Sequence, residues 1–349
     1  MYENISAIDA LVKAAKRILL IQADNPDGDS LGSSLALEHI LSKMGKDVYL
    51  YCGVDIPGYL KYVPGFDRVN QDFPTSFDLS IIVDASTMTL LEKIHDGGYH
   101  TKLATKPCIV LDHHAVVERP IHYATESIID SSRASAGELI YLLAKELTWQ
   151  MPIEALDAIT VSILGDTQGL SNQLTTATTY QVMSEMVAAG VNRPKIEEAR
   201  RELSKMPMSI LQYKGRLLAR TEFFHDGTIA TNTVPQQEIT TFSPLYNPGP
   251  LVQFDMLQTI GVKIAIVFKS YDDGKITAAI RCNAGYGVGG ILAEKFGGGG
   301  HAFAAGFKTI DGRPFNVIKS ECIAYASQLL SNLTQAPIDE TPQYAYSTN

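Results

Sequence analysis

Pro107-Cys108-Ile109-Val110-Leu111 runs into Asp112-His113-His114. The apolar run reads as a buried strand. An acid and two imidazoles leave its end, where desolvating them is costly unless something compensates. The same arrangement recurs along the chain. Ile18-Leu19-Leu20-Ile21 is followed by Asp27 and Asp29, Leu79-Ser80-Ile81-Ile82-Val83 ends in Asp84, and Asp166 closes an apolar helical stretch. Five acids and two histidines at the ends of core elements form the donor set that a site for two divalent metals requires.

Working outward, residues 8–16 read as an amphipathic helix and 17–22 as a buried strand. A helical stripe starts at Ser30, with apolar positions at 31, 35, 37, 40, 41 and 44. Strands are expected at 47–51, 79–84 and 107–112. This alternation predicts an α/β fold with a parallel sheet and flanking helices. Ligands of such a sheet gather at the carboxyl ends of its strands, where Asp27, Asp29, Asp84 and Asp112 fall. Helices are expected at 138–147, 153–165 and 178–189, and residues 195–216 read as a charged helical connector. The second half predicts a smaller α/β domain. Its alternating strands are 228–234, 262–269 and 276–282, and its helices are 290–296 and 315–331. The stretch 236–250, with three prolines, reads as a covering or mobile loop. The expected organisation is 1–192, a connector at 193–216, a second domain at 217–334 and a frayed polar tail at 335–349.

The 349 residues suffice for two cores, and 45% hydrophobic with 19% charged content is ordinary for a soluble globular chain. The formal charge of −9 argues against binding long duplex nucleic acid, which needs a basic face. Cys52, Cys108, Cys282 and Cys322 are scattered with no Cys-x-x-Cys pair, so neither a zinc knuckle nor a redox motif is expected. No apolar run reaches membrane-spanning length and the N-terminus lacks a signal pattern. The expectation is therefore a cytoplasmic protein without a membrane partner.

In Asn25-Pro26-Asp27-Gly28-Asp29-Ser30-Leu31-Gly32-Ser33 the two carboxylates can face one side of a tight turn. A solvated strand-to-helix turn is the plainer reading. A calcium loop is disfavoured because Ser34 stands where its glutamate belongs. Asp166 at a helix C-terminus opposes the dipole and invites a compensating cation. Phe296 to Gly306 holds four consecutive glycines, Gly297 to Gly300, and then His301. Such a run suits close approach of backbone amides to an anion, and a flexible linker is the bland alternative. Arg281, at the end of the 276–282 strand, could offer a guanidinium to phosphate.

Together these segments, with Val83-Asp84-Ala85-Ser86 and Gly165-Asp166-Thr167, resemble the DHH phosphoesterase family. The resemblance covers about residues 5–330. It is to the branch with a GGGH-type DHH-associated C-terminal domain, which includes the nanoRNase/pAp phosphatases. It implies two Mn²⁺ ions, with Mg²⁺ as an alternative, and an active site in the cleft between the domains. Asp84 would bridge the ions, Asp29, His113 and Asp166 would complete one, and Asp27 would hold the other. The family usually places a histidine four residues before that last aspartate. Here the position is Ala23, which implies a weakened second site unless Asp24, Asn25 or water compensates. Asp84, Asp112 and His114 carry the implied catalytic roles, with Asp112 orienting a histidine and His114 serving the phosphoryl or leaving oxygen. Arg281, Gly298, Gly299, Gly300 and His301 carry substrate binding.

The implied activity is hydrolysis of short oligoribonucleotides, and of the nucleotide bisphosphate pAp, by a metal-activated water. A homodimer is also compatible. Two other readings stay open: a phosphodiesterase of linear or cyclic dinucleotides, and a nucleotide-binding protein impaired by Ala23.

Overall fold

The computed structural model describes residues 2–114, 119–243 and 246–335. The chain divides into two compact units, residues 1–205 and 206–349.

In the N-terminal unit the strands are β1 (Arg17–Ile21), β2 (Asp47–Tyr51), β3 (Leu79–Val83), β4 (Cys108–Asp112) and β5 (Glu126–Ile129). They form one sheet in the order β2-β1-β3-β4-β5, every pairing parallel. The helices are α1 (Ile5–Ala14), α2 (Gly28–Lys43), α3 (Glu92–Asp96), α4 (His100–Leu103), α5 (Ala136–Glu146), α6 (Ile153–Asp166), α7 (Ala177–Ala188) and α8 (Arg193–Leu203). Alternation along β1 explains the layering. Ile18 and Leu20 join the apolar cluster that holds Leu31, Leu35, Ile159 and Ile163, while Leu19 and Ile21 join the one that holds Met88, Ile94 and Leu103. Both faces are therefore covered, as a parallel sheet requires. The strand order reverses between β1 and β3. At such a switch point the connections from neighbouring strands leave to opposite sides and open a crevice beyond the carboxyl ends.

The C-terminal unit carries α9 (Met208–Ala219), β6 (Glu222–Phe224), β7 (Ile229–Pro235), α10 (Gln236–Phe242), α11 (Pro248–Leu257), β8 (Ile264–Ser270), β9 (Ile276–Cys282), α12 (Gly289–Glu294), β10 (Gly299–His301), β11 (Ala304–Thr309) and α13 (Phe315–Gln335). Its mixed sheet runs β10-β11-β9-β8-β7-β6, with only β7 and β8 parallel. One face is covered by a cluster with Leu292, Ile318 and Cys322, the other by one with Tyr213, Leu217 and Val252.

One expectation needs correction. The proline-containing stretch 236–250 is not a loop throughout: it holds α10 and the first turn of α11. Pro248 occupies the first turn of α11, where a missing N–H costs nothing. The stretch 195–216 is helical as expected, in α8 and α9, and the units divide between these two helices. The strands β5, β6 and β10 are too short to have shown a period. The expected tail after Gln335 lies outside the described residues. Among the described residues no helix is long and apolar enough to cross a membrane.

Candidate metal centre

The crevice at the switch point receives the loop after β1, the residue after β3, the end of β4 and the C-terminus of α6. These bring Asp27, Asp29, Asp84, Asp112, His113, His114 and Asp166 to one region of the N-terminal unit.

His113 lies among three carboxylates. Its Nε2 is 3.0 Å from Asp166 Oδ2, 3.3 Å from Asp29 Oδ2 and 3.5 Å from Asp84 Oδ1. Its Nδ1 faces the Arg133 carbonyl at 3.3 Å, an acceptor that favours the proton on Nδ1 and leaves Nε2 as the ligand atom. Despite those short distances, His113 Nε2 and Asp84 Oδ1 are shut off from solvent with no contact of hydrogen-bond geometry. Each such orphaned atom costs about 1–3 kcal/mol. A divalent cation would satisfy both, and carboxylate oxygens with one imidazole nitrogen are a suitable donor set. The ligand atoms fall into two groups that share His113: Asp29, His113 and Asp166, and Asp84, Asp112, His113 and His114.

The charges favour the same conclusion. Burial, then the Asp166 charge, pushes the Asp29 carboxyl up to about 6, against the opposing pull of His113 and of bonds from Ser162 and Ala136. Burial and the Asp29 charge hold Asp84 well above the ordinary carboxylate range. Burial would lower His113, but Asp166, Asp84 and Asp29 outweigh it and drive the imidazole up to about 11. Too many carboxylates share too little positive charge, and a cation between them relieves all three groups.

Asp29 is fully buried and rigidly held. It accepts the Ala136 amide at 2.7 Å, the Gly137 amide at 3.2 Å and the Ser162 hydroxyl at 2.6 Å. Those amides form the N-terminus of α5, whose dipole favours a carboxylate there. Sequence reasoning missed Ser162 and these amides. Ser162 had a faint signal, a hydroxyl four residues before Asp166 on a helix that also carries Thr160; the amides had none. Asp112, fully buried, accepts the His114 Nδ1–H at 2.7 Å and the His113 amide at 2.8 Å. Burial would raise its carboxyl, but the bond from the His114 side chain, the His114 charge and the His113 amide bring it below the ordinary value. In return Asp112 raises the half-exposed His114.

Asp27 stands apart. It is exposed, its Oδ1 caps α2 by accepting the amides of Asp29 at 2.9 Å and Ser30 at 3.1 Å, and it belongs to neither ligand group. Ala23 is 3% exposed and packed beside Ile21 and Tyr51. Asp24 Oδ2 accepts the Lys93 amide at 2.8 Å, turned to the start of α3.

In the C-terminal unit, Arg281 of β9 pairs with Ala304 of β11, which pairs with His301 of β10. One rung of the sheet thus carries an arginine and an exposed histidine on the same face with a small alanine between. Arg281 Nη1 donates to the Ile280 carbonyl at 3.0 Å. The glycine run has packing causes. Gly297, at φ +74°, ends α12, and the amides of Gly297 and Gly298 are spent on the Glu294 and Ala293 carbonyls. A Cβ at Gly298 would lie 2.2 Å from the Gly306 carbonyl oxygen, and one at Gly300 2.6 Å from Ala305 Cα. Only a Cβ at Gly299 among the four in β10 and its approach would meet open space without a left-handed φ.

Residues 17–163 match the DHH family, N-terminal domain. The chain is 25% identical over 309 residues to the bifunctional oligoribonuclease and PAP phosphatase NrnA of Thermus thermophilus, covering 87% of this chain and 88% of that one. It is 24% identical over 293 residues to the protein of the same name from Bacillus subtilis, covering 83% and 88%. The crystal structure of an exopolyphosphatase-related protein from Bacteroides fragilis superposes with a TM-score of 0.76 at 21% identity, over 94% of this chain and 97% of that one, a likeness of fold.

Proposed function

Residues 17–163 are a DHH-family N-terminal domain, and from that premise we propose that this phosphoesterase hydrolyses short oligoribonucleotides and pAp with the help of divalent metal ions, Mn²⁺ first among them. The observation that carries the reading is His113 Nε2 and Asp84 Oδ1, buried without hydrogen bonds among the carboxylates of Asp29 and Asp166. The names of relatives alike over most of both chains support the substrate class.

Asp29, His113 and Asp166 would hold one ion, and Asp84 would share it with a second served by Asp27. Ions so placed lower the pKa of water and offset charge on a phosphoryl oxygen. The chain's own groups do the positioning. Asp29, tied to α5 and α6, keeps its carboxylate fixed. Asp112 holds the His114 ring through Nδ1, leaving Nε2 to face a phosphoryl or leaving oxygen and, when protonated, to donate. The hydrogen bond to Asp112, opposed by burial, raises His114 above the ordinary imidazole value. Arg281 and His301, on one rung, with Gly298, Gly299 and Gly300 beside them, would grip the terminal nucleotide.

A weaker second ion site is part of the proposal. It is supported by Ala23, which offers no donor, and by Asp27, whose Oδ1 already caps α2. The test is hydrolysis of a 5′-labelled RNA dinucleotide and of pAp with Mn²⁺ titrated, alongside Asp84→Ala. Cleavage that saturates only at raised Mn²⁺ and vanishes in the variant is expected. No cleavage of either substrate at any concentration would sink the reading. Ala23 favours a second reading, a chain that binds nucleotides without turnover. Dinucleotide binding with no cleavage would select it.

A further inference from the structure

Beside the metal centre, and wholly within the N-terminal unit, lies a cavity of about 660 Å³. This is within the range of about 300–1,000 Å³ typical of small-molecule sites. Asp27 and Asp166 form one wall, so whatever fills the cavity abuts the metal centre. Helix α8 contributes Arg193, Arg200 and Arg201 to the lining. Tyr59 lines it as well, with its residue 62% exposed.

These side chains are hard to explain by stability. Glu197 takes Arg200 in a two-pronged pair at 2.8 and 2.8 Å and Arg201 Nε at 2.8 Å. Exposed pairs of this spacing contribute only about 0.3–0.5 kcal/mol. What the fork does is orient two guanidinium planes while leaving most of their N–H donors free. Arg193 has no acidic partner among the described residues. Three arginines against Glu197 leave the α8 wall positive in a chain of formal charge −9. An exposed tyrosine face beside guanidinium groups is the combination that takes a single-stranded nucleotide, base stacked and phosphate paired.

We propose that this cavity is a second nucleotide subsite, in which Tyr59 stacks on the base adjoining the scissile phosphate and Arg193, Arg200 and Arg201 take the next phosphate or the ribose. The assignment rests on the oligoribonucleotide reading and deepens it. A nucleoside bisphosphate has one base and no need of a second seat, whereas a dinucleotide has two. Stacking tolerates any base, so little base preference is expected at this seat.

The test is calorimetric binding of a non-hydrolysable phosphonate-linked RNA dinucleotide and of pAp to the full chain, with turnover of the natural dinucleotide measured in parallel. Tyr59→Ala and Arg193→Ala should each weaken dinucleotide binding about tenfold or more and lower the ratio of dinucleotide to pAp affinity. Tyr59→Phe should restore it. Arg193→Ala should also flatten the salt dependence by about 0.7 in log–log slope, the loss of one phosphate contact on a single strand. Unchanged dinucleotide affinity in both variants, or equal losses for both ligands, overturns the subsite. Cleavage by the native chain with unchanged variant affinities removes the subsite and keeps the hydrolase. Binding that depends on Tyr59 and Arg193 without cleavage keeps the subsite and removes the hydrolase, and absence of binding removes both.

Discussion

Asp84 shows what a single residue concedes to a site. It follows β3 with φ +56°, a left-handed conformation for a residue with a side chain, at a cost of about 1 kcal/mol or more. It also buries a carboxylate against Asp29. Both costs are tolerated because that backbone turn aims the carboxylate at His113. Asp84→Gly should therefore be inactive yet as stable as the native chain or more stable, by about 1 kcal/mol. Urea midpoints without added metal, together with turnover, check this, and a clear loss of stability would show that Asp84 serves the fold. That Asp84 ends a strand was legible in the sequence. Its reversed φ was not, because aspartate does not announce one as glycine does.

Between elements, the contact that matters most is α2 on α6. A Cβ at Gly32 would lie 2.6 Å from the Ala158 carbonyl oxygen and 2.8 Å from the Ser162 amide, so the two helices touch backbone to backbone. Gly32→Ala must push them apart. Since α2 carries Asp29 and α6 carries Ser162 and Asp166, the site should loosen with the fold. We expect a loss of about 1–3 kcal/mol and weaker Mn²⁺ binding, read by denaturation and by metal titration. A second link joins α5 to α7, where Glu185 accepts Tyr141 at 2.7 Å and Lys145 at 2.6 Å. Lys145 first, then Tyr141, holds the Glu185 carboxyl at about 2, below the ordinary 4.5. A depressed carboxyl stabilises the fold above its unfolded pKa, and that stability is lost as pH falls through the folded one. Glu185→Gln should cost under about 1 kcal/mol at pH 7, the pair being partly exposed. The gap to the native chain should close between about pH 4.5 and 2. Denaturant midpoints at pH 7 and pH 3 decide it, and a constant gap would remove the charge from the account.

For the molecule as a whole, each unit has a sheet covered by apolar clusters on both faces, enough to unfold as its own transition. The only tryptophan in the sequence, Trp149, is buried in the N-terminal unit, so its fluorescence reports that unit. Mn²⁺ at about a hundred times its dissociation constant should stabilise the tryptophan transition by about 2.7 kcal/mol and leave the other unmoved in calorimetry. A shift of both by the same amount would mean that the units unfold together.

The amino-acid sequence alone determined the elements that have a period and the acids at their ends. Strands 47–51 and 276–282 and the positions of Asp29, Asp84, His113 and Asp166 follow from alternation and from polar groups that terminate apolar runs, which are local properties. Only the tertiary structure decided the order β2-β1-β3-β4-β5, which sets Asp29 beside Asp84. It alone decided that α5 and Ser162 grip Asp29, that Asp27 turns to cap α2, and that three glycines of the 297–300 run serve a helix end and a tight hairpin. The reason is physical. These contacts join residues far apart in the chain, largely through backbone amides and carbonyls that every residue carries alike, so side-chain pattern holds no record of them.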